Sequence, residues 1–289
     1  MIHEYFEQRA YLGGKQSEFQ CNPECSRPGC THPDMQVPAT IFDVLGAAIL
    51  RDEPIHAVYR KYYSLGVMPR EGLDWIKSVS LKLKKPCPFL DNNRCGIYTV
   101  RPLSCILFPE NYGVDGTIKT LAAQPAYKDY LCLQTPFAVS RQRARTIRAL
   151  EGMLQRELLI SDSRLFDLSP FWIDFGGLQE ELLHHSTESS RDSGADGTDA
   201  CGVIPFASFE AVFNETFVKC HPLSELDTRI RQLDDFDQQK KIFSGLNDGK
   251  LLKSLARGHE DRPLVHKFAG GRLEARRQSL IPREHMFVW

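Results

Sequence analysis

The chain offers little that would place it in a membrane or on a nucleic acid. No run of apolar residues approaches the roughly eighteen that are needed to cross a bilayer. The 36 Lys and Arg residues are balanced by 37 Asp and Glu residues, so a net charge of -1 gives no attraction to nucleic acid or to an anionic membrane. Residues 1–9 are polar and acidic, unlike a secretory signal. We therefore expect a cytoplasmic protein with neither nucleic-acid nor membrane partners.

Sequence signatures of common enzymes are also missing. No glycine-rich loop follows a strand and opens a helix, as a Rossmann-type nucleotide site requires. The chain has neither a Gly-x-Ser-x-Gly nucleophile motif nor a His-Glu-x-x-His zinc motif, which leaves hydrolysis without support. On these grounds the question of whether the protein is an enzyme stays open.

What the chain does contain is cysteine in groups. Nine cysteines are an odd number, and a reducing cytoplasm disfavours structural disulfides. Closely grouped thiols in such a setting indicate bound metal. We predict seven metal ligands: Cys21, Cys25, Cys30, Cys87, Cys95, Cys105 and Cys132. The other two cysteines, Cys201 and Cys220, lie singly among apolar residues and are expected to be small core residues.

The pattern along the chain predicts an α+β fold, with helices packed around a small antiparallel sheet whose hairpin and loops carry the cysteine metal site. Helices are expected after Thr40 and over residues 140–159, and a strand begins at Val79. Residues 1–20 are expected to form a lead-in strand or loop.

The domain organisation follows from one polar stretch. Residues 186–200 have almost no apolar content and predict a disordered linker. It separates a cysteine-cluster domain at 1–185 from a mainly helical tail of unknown role at 201–289. Within the tail, residues 223–242 fit one helix and residues 250–257 a short one.

The downstream cysteines are expected to meet through a hairpin and a helix. With a three-residue loop at 91–93, Phe89 pairs with Cys95, and Cys87 becomes the diagonal neighbour of Cys95 at roughly 7–8 Å. That separation is long for a disulfide and suits two thiolates that share a metal. Pro102 fits the first turn of a helix, which puts Cys105 near a helix N-terminus that favours a thiolate.

These residues resemble a known family. The match is densest in three consecutive pieces: Cys87-Pro-Phe-Leu, Cys95-x-Ile97-Tyr98-x-x-Arg101-Pro102-x-x-Cys105, and Phe108-Pro109. They resemble the signature of the CxxCxxCC cysteine-cluster family, also called the YkgJ-like zinc- or iron-chelating family, over about residues 20–135. Upstream the gaps between cysteines are three and four residues rather than two, and Thr31 stands where a second cysteine of a doublet would stand.

The resemblance implies a metal-binding protein with a structural, redox or metal-handling role. Thiolates suit zinc and iron–sulfur clusters alike, and the scarcity of nearby histidine leads us to favour the cluster over Zn²⁺. One branch of the family, the flagellin lysine methylases, uses an iron–sulfur cluster with S-adenosylmethionine. The resemblance therefore also implies an alternative function, that of an S-adenosylmethionine-dependent protein lysine methyltransferase.

A protein partner or substrate is a further expectation. The helix predicted over residues 140–159 begins with an arginine-rich stretch that suits an acidic partner. The same stretch also fits an ordinary solvated helix face. The four arginines are Arg141, Arg143, Arg145 and Arg148.

Overall fold

The structure is a computed structural model in which the described residues are mostly helical and include a small sheet, so the α+β class is confirmed. It describes residues 2–17, 19, 24–33, 35, 37–69, 75–124, 127–134, 137–166, 171–174, 223–261, 264–269 and 272–277. Among the helices in these ranges, none is both long and apolar enough to cross a lipid bilayer.

The helices and strands alternate irregularly along the chain. The helices are α1 (Ile2–Gly14), α2 (Pro28–Thr31), α3 (Ile41–Arg51), α4 (Ile55–Tyr62), α5 (Leu103–Leu107), α6 (Glu110–Val114), α7 (Ile118–Ala122), α8 (Leu131–Gln134), α9 (Arg141–Phe166), α10 (Leu223–Arg231), α11 (Phe236–Gly245) and α12 (Gly249–Asp261). The strands are β1 (Pro38–Ala39), β2 (Tyr63–Pro69), β3 (Trp75–Leu83), β4 (Leu90–Asp91), β5 (Arg94–Cys95), β6 (Phe171–Asp174), β7 (Leu264–Ala269) and β8 (Arg272–Arg277). Two short 3-10 helices cover Tyr98–Val100 and Gln232–Asp234.

The chain forms two compact units, each built from three segments. The first unit consists of Met1–Ser64, Leu81–Ser161 and Ile230–Leu252. The second consists of Leu65–Ser80, Asp162–Arg229 and Lys253–Trp289. The proposed linker at 186–200 lies outside the described residues, and the division into domains at 1–185 and 201–289 stays a prediction.

Helix α3 runs through the core of the first unit. Thr40 begins it with a reciprocal capping box: the Thr40 side chain accepts from the backbone N–H of Asp43, and the Asp43 carboxylate accepts from the backbone N–H of Thr40 at 2.7 Å. The predicted helix after Thr40 is thereby confirmed. Phe42, Leu45 and Ala47 are fully buried, because α3 has protein on most of its surface rather than on one stripe.

Helix α1 corrects the expectation of a strand or loop at the start of the chain. Its buried positions, Ile2, Phe6, Arg9 and Gly13, recur every three or four residues and so lie on one helix face. The Phe6 ring packs edge-on against Phe243 with ring centroids 5.8 Å apart. The helical period was hard to see in the sequence because a charged residue, Arg9, occupies the buried face.

Arg9 is the centre of a buried polar network in the first unit. Its guanidinium is paired with Asp43, and its Nη1 donates to Glu157 Oε1 at 3.1 Å. The Tyr5 hydroxyl also donates to Glu157, and the Thr40 hydroxyl donates to Glu157 Oε2 at 2.7 Å. Burial raises the pKa of Glu157 to about 7, while the Arg9 charge acts against that rise. The network joins α1, α3 and α9 through groups that solvent does not reach.

A second buried ion pair ties α9 to the end of α1. Arg143 donates to the carboxylate of Glu110 and to the backbone carbonyls of Leu12, Gly13 and Lys15 at 2.9–3.0 Å. Its side chain is only 2% exposed. The two interpretations of the arginine-rich stretch are therefore both wrong for Arg143, which neither faces solvent nor is available to a partner.

The strands pair within each unit. In the first unit β1 pairs antiparallel with the end of β3, Ala39 facing Leu81. In the second unit the start of β3 pairs antiparallel with β6, Trp75 facing Asp174. There β6 runs parallel to β7, and β7 and β8 form an antiparallel ladder of six residue pairs. Of these four strand pairs, β6–β7 is parallel and the other three are antiparallel.

The single helix expected over residues 223–242 is interrupted. α10 ends at Arg231, and α11 begins at Phe236 after a short 3-10 helix. The cause is Asp235, whose carboxylate accepts from the backbone N–H of Asp237 at 2.7 Å and so starts a new helix. The short helix expected at 250–257 is confirmed within the longer α12.

We expect Glu110→Ala to lower the free energy of unfolding by about 3–5 kcal/mol, because it leaves the buried Arg143 charge without its carboxylate. Urea unfolding followed by circular dichroism measures the change. Glu225→Ala is the matched control, since the Arg229–Glu225 pair is more exposed and should cost less than about 1 kcal/mol. Equal losses in the two variants would contradict the role given to burial.

Candidate metal centre

Two segments that are far apart in sequence are joined at Cys30 and Cys87. The backbone N–H of Cys87 donates to the carbonyl of Cys30 at 2.7 Å, and the Lys85 ammonium donates to the carbonyl of Gly29. The Cys30 thiol donates a hydrogen bond to the Cys87 sulfur. Helix α2 and the segment before β4 therefore present two sulfurs to each other.

The β4–β5 hairpin carries Cys95 in a register that differs from the expected one. Leu90 faces Cys95 and Asp91 faces Arg94, so the loop has two residues rather than three. Both loop residues, Asn92 and Asn93, have positive φ, at 44° and 60°. These angles define a type I′ turn, which asparagine tolerates and which suits the twist of a hairpin.

The register change alters how Cys87 reaches Cys95. The expected diagonal pairing across the ladder is wrong, because Phe89 does not face Cys95. Cys87 instead precedes a turn in which the backbone N–H of Leu90 donates to the Cys87 carbonyl at 3.1 Å. The turn, rather than the ladder, brings the Cys87 sulfur toward Cys95, and the two side chains interact electrostatically.

Cys105 is the third residue of α5, as the placement of Pro102 predicted. Pro102 is the residue before the first helical position, and its carbonyl accepts from the backbone N–H of Cys105 at 2.9 Å. The Ser104 hydroxyl donates to the carbonyl of Pro38 at 2.6 Å, which fixes the first turn of α5 to β1. Burial raises the pKa of the Cys105 thiol to about 12, while the Lys85 charge favours the thiolate.

The four thiols have unequal tendencies to ionise. The hydrogen bond from Cys30 lowers the pKa of Cys87 to about 6, with help from the backbone N–H groups of Phe89 and Leu90. That same hydrogen bond, followed by burial, raises the pKa of Cys30. Burial also raises the pKa of Cys95. Cys87 is therefore the sulfur that ionises first, and its charge disfavours thiolates at the other three.

Cys25 and Cys132 lie in a second neighbourhood around Tyr130. Cys132 packs against the cluster of Leu121, Tyr130 and Leu133. Burial is the main cause that raises the pKa of the Tyr130 hydroxyl, and the nearby Cys132, Cys30 and Cys25 add to it. Cys25 is buried, whereas Cys132 is partly exposed.

The other residues considered in the sequence analysis are three further cysteines and one arginine of the motif. Cys21, Cys201 and Cys220 lie outside the described residues. Arg101, considered for its position in the motif, stacks on the Tyr98 ring with its guanidinium carbon 3.8 Å from the centroid. Its charge also favours the Cys95 thiolate, although burial outweighs it.

The thiols belong to neighbouring segments, but they do not form a complete set of ligands around one point. None of the six cysteines in the described part of the chain forms a disulfide. Within that same part, no three or more His, Cys, Asp and Glu side chains lie close enough together to hold a metal ion as they stand. The donor chemistry suits zinc and iron, and coordination by more than two of the sulfurs requires their side chains to rotate toward a shared centre.

The fold is α+β, and the thiols of its cysteine-rich segment are of the type that zinc and iron–sulfur clusters prefer as ligands. Residues 20–133 match the model of the CxxCxxCC family, described as a "putative zinc- or iron-chelating domain". The match confirms the resemblance drawn from the sequence motifs and covers less than half of the 289 residues. No curated protein and no solved structure matches the chain. The family match adds no support for a methyltransferase.

We expect Asn93→Val to lower the free energy of unfolding by about 1–3 kcal/mol, because a β-branched residue is strained at positive φ. Asn93→Gly is the matched control and should be neutral or slightly stabilising, since glycine adopts this conformation without strain. Urea unfolding measures the free energy of unfolding of both variants. If valine is tolerated as well as glycine, residue 93 does not need the positive φ that this turn assigns to it.

Proposed function

We propose that this chain binds zinc or an iron–sulfur cluster through cysteine thiolates, with Cys30, Cys87, Cys95 and Cys105 as the central ligands. The observation that carries the proposal is the backbone hydrogen bond from Cys87 to Cys30 at 2.7 Å, which joins α2 to the hairpin region. The pKa shifts of the cysteines in these segments and in α5 agree with it, since the Cys87 charge raises the pKa of the other three thiols. They all lie within the segment that matches the zinc- or iron-chelating family.

The electrostatics of the four sulfurs support a bound cation. Cys87 ionises readily, but its thiolate discourages ionisation of the others, and the Lys85 charge offsets this in part at Cys105. Metal ligands must be thiolates, so a site of this kind stays partly protonated until a cation supplies positive charge. A bound zinc or iron centre supplies that charge, and binding releases protons.

Cys21, Cys25 and Cys132 complete the proposed ligand set. Cys25 and Cys132 share the Tyr130 neighbourhood with Cys30, so this second group lies beside the first rather than elsewhere in the fold. Cys30 links the two groups because it interacts with both Cys87 and Tyr130. Thiol ligation in all seven cases also favours the proposed cytoplasmic location, where cysteines stay reduced.

A structural role is what the geometry favours among structural, redox and metal-handling roles. The sulfurs come from short elements: α2 has four residues, each hairpin strand has two, and α5 has five. Elements this short are marginally stable by themselves, so a metal that cross-links them stabilises the fold directly. The same logic makes the metal and the local fold interdependent.

Anaerobic purification followed by metal and sulfide analysis tests the proposal. We expect tightly bound metal, with broad absorbance near 400 nm and acid-labile sulfide for an iron–sulfur cluster, or a colourless protein with zinc and no sulfide. Removal of the metal by a chelator should lower the melting temperature, because the free energy of metal binding then no longer stabilises the fold. Purified protein that holds neither metal, and takes up neither when offered, would disprove the proposal.

Single Cys→Ser variants identify the ligands. Replacing Cys87, Cys95 or Cys105 should strip most of the metal and lower the melting temperature by about 2–4 °C for each kcal/mol of stability lost. Cys201→Ser and Cys220→Ser are matched controls, since both cysteines lie outside residues 20–133, and should retain the wild-type metal content. Full metal content and normal melting in all three site variants would show that these thiols are not ligands.

A further inference from the structure

The buried guanidinium of Arg9 reaches beyond its two carboxylates into the cysteine segment. Its Nη2 donates to the backbone carbonyl of Arg101 at 2.6 Å and is also paired with Asp43. Arg9 is 0% exposed and belongs to α1, which precedes the family-matched residues 20–133. Arg9, which lies outside that segment, therefore donates a hydrogen bond to a backbone carbonyl inside it.

The position of that carbonyl decides where α5 begins. Arg101 is extended, Pro102 follows, and the Pro102 carbonyl accepts from the backbone N–H of Cys105. Pro102 has no backbone N–H, so it cannot anchor this turn by donating a hydrogen bond of its own. Holding the Arg101 carbonyl therefore helps to fix the first turn of α5 and the direction of the Cys105 side chain.

Packing between α1 and α5 gives independent support. Tyr5 and Leu12 pack against the cluster that includes Leu103 and Ile106. At Gly13 the approach is so close that a Cβ would lie 2.9 Å from Ile106 Cγ2. Helix α1 therefore lies directly on α5, and the Arg9 hydrogen bond acts across a tightly packed contact.

A guanidinium is required for this arrangement. Arg9 serves three acceptors at once, namely Asp43, Glu157 and the Arg101 carbonyl. The planar fork of arginine offers five donors in fixed directions, whereas the ammonium of lysine is a point charge with three donors. Lysine keeps the charge but cannot reproduce the geometry.

We propose that Arg9 is a positioning residue for the metal centre: through the Arg101 carbonyl it sets the start of α5 and so aims the Cys105 sulfur at its partners. The proposal rests on the proposed metal-binding function. Residues that orient metal ligands without touching the metal typically change affinity by about 10–100-fold when they are replaced.

The test is the affinity of the full-length apo protein for Zn²⁺, measured by competition with a chromophoric chelator, together with the absorption spectrum of the Co²⁺ form. Arg9→Lys should weaken zinc binding by about 10–100-fold and reduce the sulfur-to-cobalt absorption near 300–350 nm. Arg143→Lys is the matched control, because Arg143 is also buried and pairs with Glu110 and three carbonyls of residues 12–15. It should lose stability but keep zinc affinity within about twofold and the cobalt spectrum unchanged.

The outcomes separate the two proposals. Wild-type protein that binds neither ion, and holds no iron or sulfide when purified anaerobically, would overturn the proposed function and this inference with it. Wild-type affinity and an unchanged spectrum in folded Arg9→Lys, or an equal loss of affinity in Arg143→Lys, would overturn the inference alone. If Arg9→Lys does not fold, the triple variant Arg9→Met, Asp43→Asn, Glu157→Gln replaces it, because it removes the hydrogen bond to the Arg101 carbonyl without leaving a buried charge unpaired. This variant should weaken zinc binding by about 10–100-fold, and an unchanged affinity would reject the inference.

Discussion

The burial of charge is the constraint on which the first unit depends. Arg9, Asp43 and Glu157 are all shielded from water, and a buried charge is tolerated only when its partners are in place. These partners come from α1, α3 and α9, so the three helices can pack correctly only together. The Arg143–Glu110 pair repeats the arrangement between α9, α6 and the end of α1. Apolar packing fills the space between helices, and the ion pairs determine which helices are neighbours.

Such charged cores also explain what the sequence did not reveal. α1 has the spacing of a buried helix, but Arg9 stands where an apolar residue is expected, so the polar residues 1–20 were predicted to form a strand or loop. For Arg143 the sequence offered a solvated face or a contact with an acidic partner, and the structure shows neither. By contrast, α3 was predicted from Thr40 onward, because its N-terminal cap and its uninterrupted apolar residues agree with each other.

The hairpin shows a second limit of prediction from the sequence. Its position was predicted, yet its register was not, because asparagine tolerates positive φ in either a two-residue or a three-residue loop. A shift of one residue moves side chains to opposite faces, so the expected diagonal pairing of Cys87 with Cys95 was wrong. The break before α11 is similar: Asp235 reads as one more polar residue of a long helix until its capping bonds are known.

Residue type and spacing indicated the candidate site, but they did not indicate which of its thiols ionises most readily. Grouped thiols and the motif around Cys95 indicated metal, and the match over residues 20–133 agrees. Which sulfur ionises first depends on a hydrogen bond between Cys30 and Cys87, residues too far apart in sequence to be paired by any pattern. Lys85, whose charge favours three of the thiolates, was likewise one lysine among many in the sequence.

The two buried arginines have a practical consequence for anyone who wishes to isolate the cysteine-rich part. Cutting the chain at the borders of the family match would delete α1 and α9 and with them Arg9 and Arg143. Asp43 and Glu110 would remain in the excised fragment as interior anions with no cation to neutralise them. The natural boundaries of this module are set by where its counter-charges reside, and these lie on both sides of the stretch that defines the family.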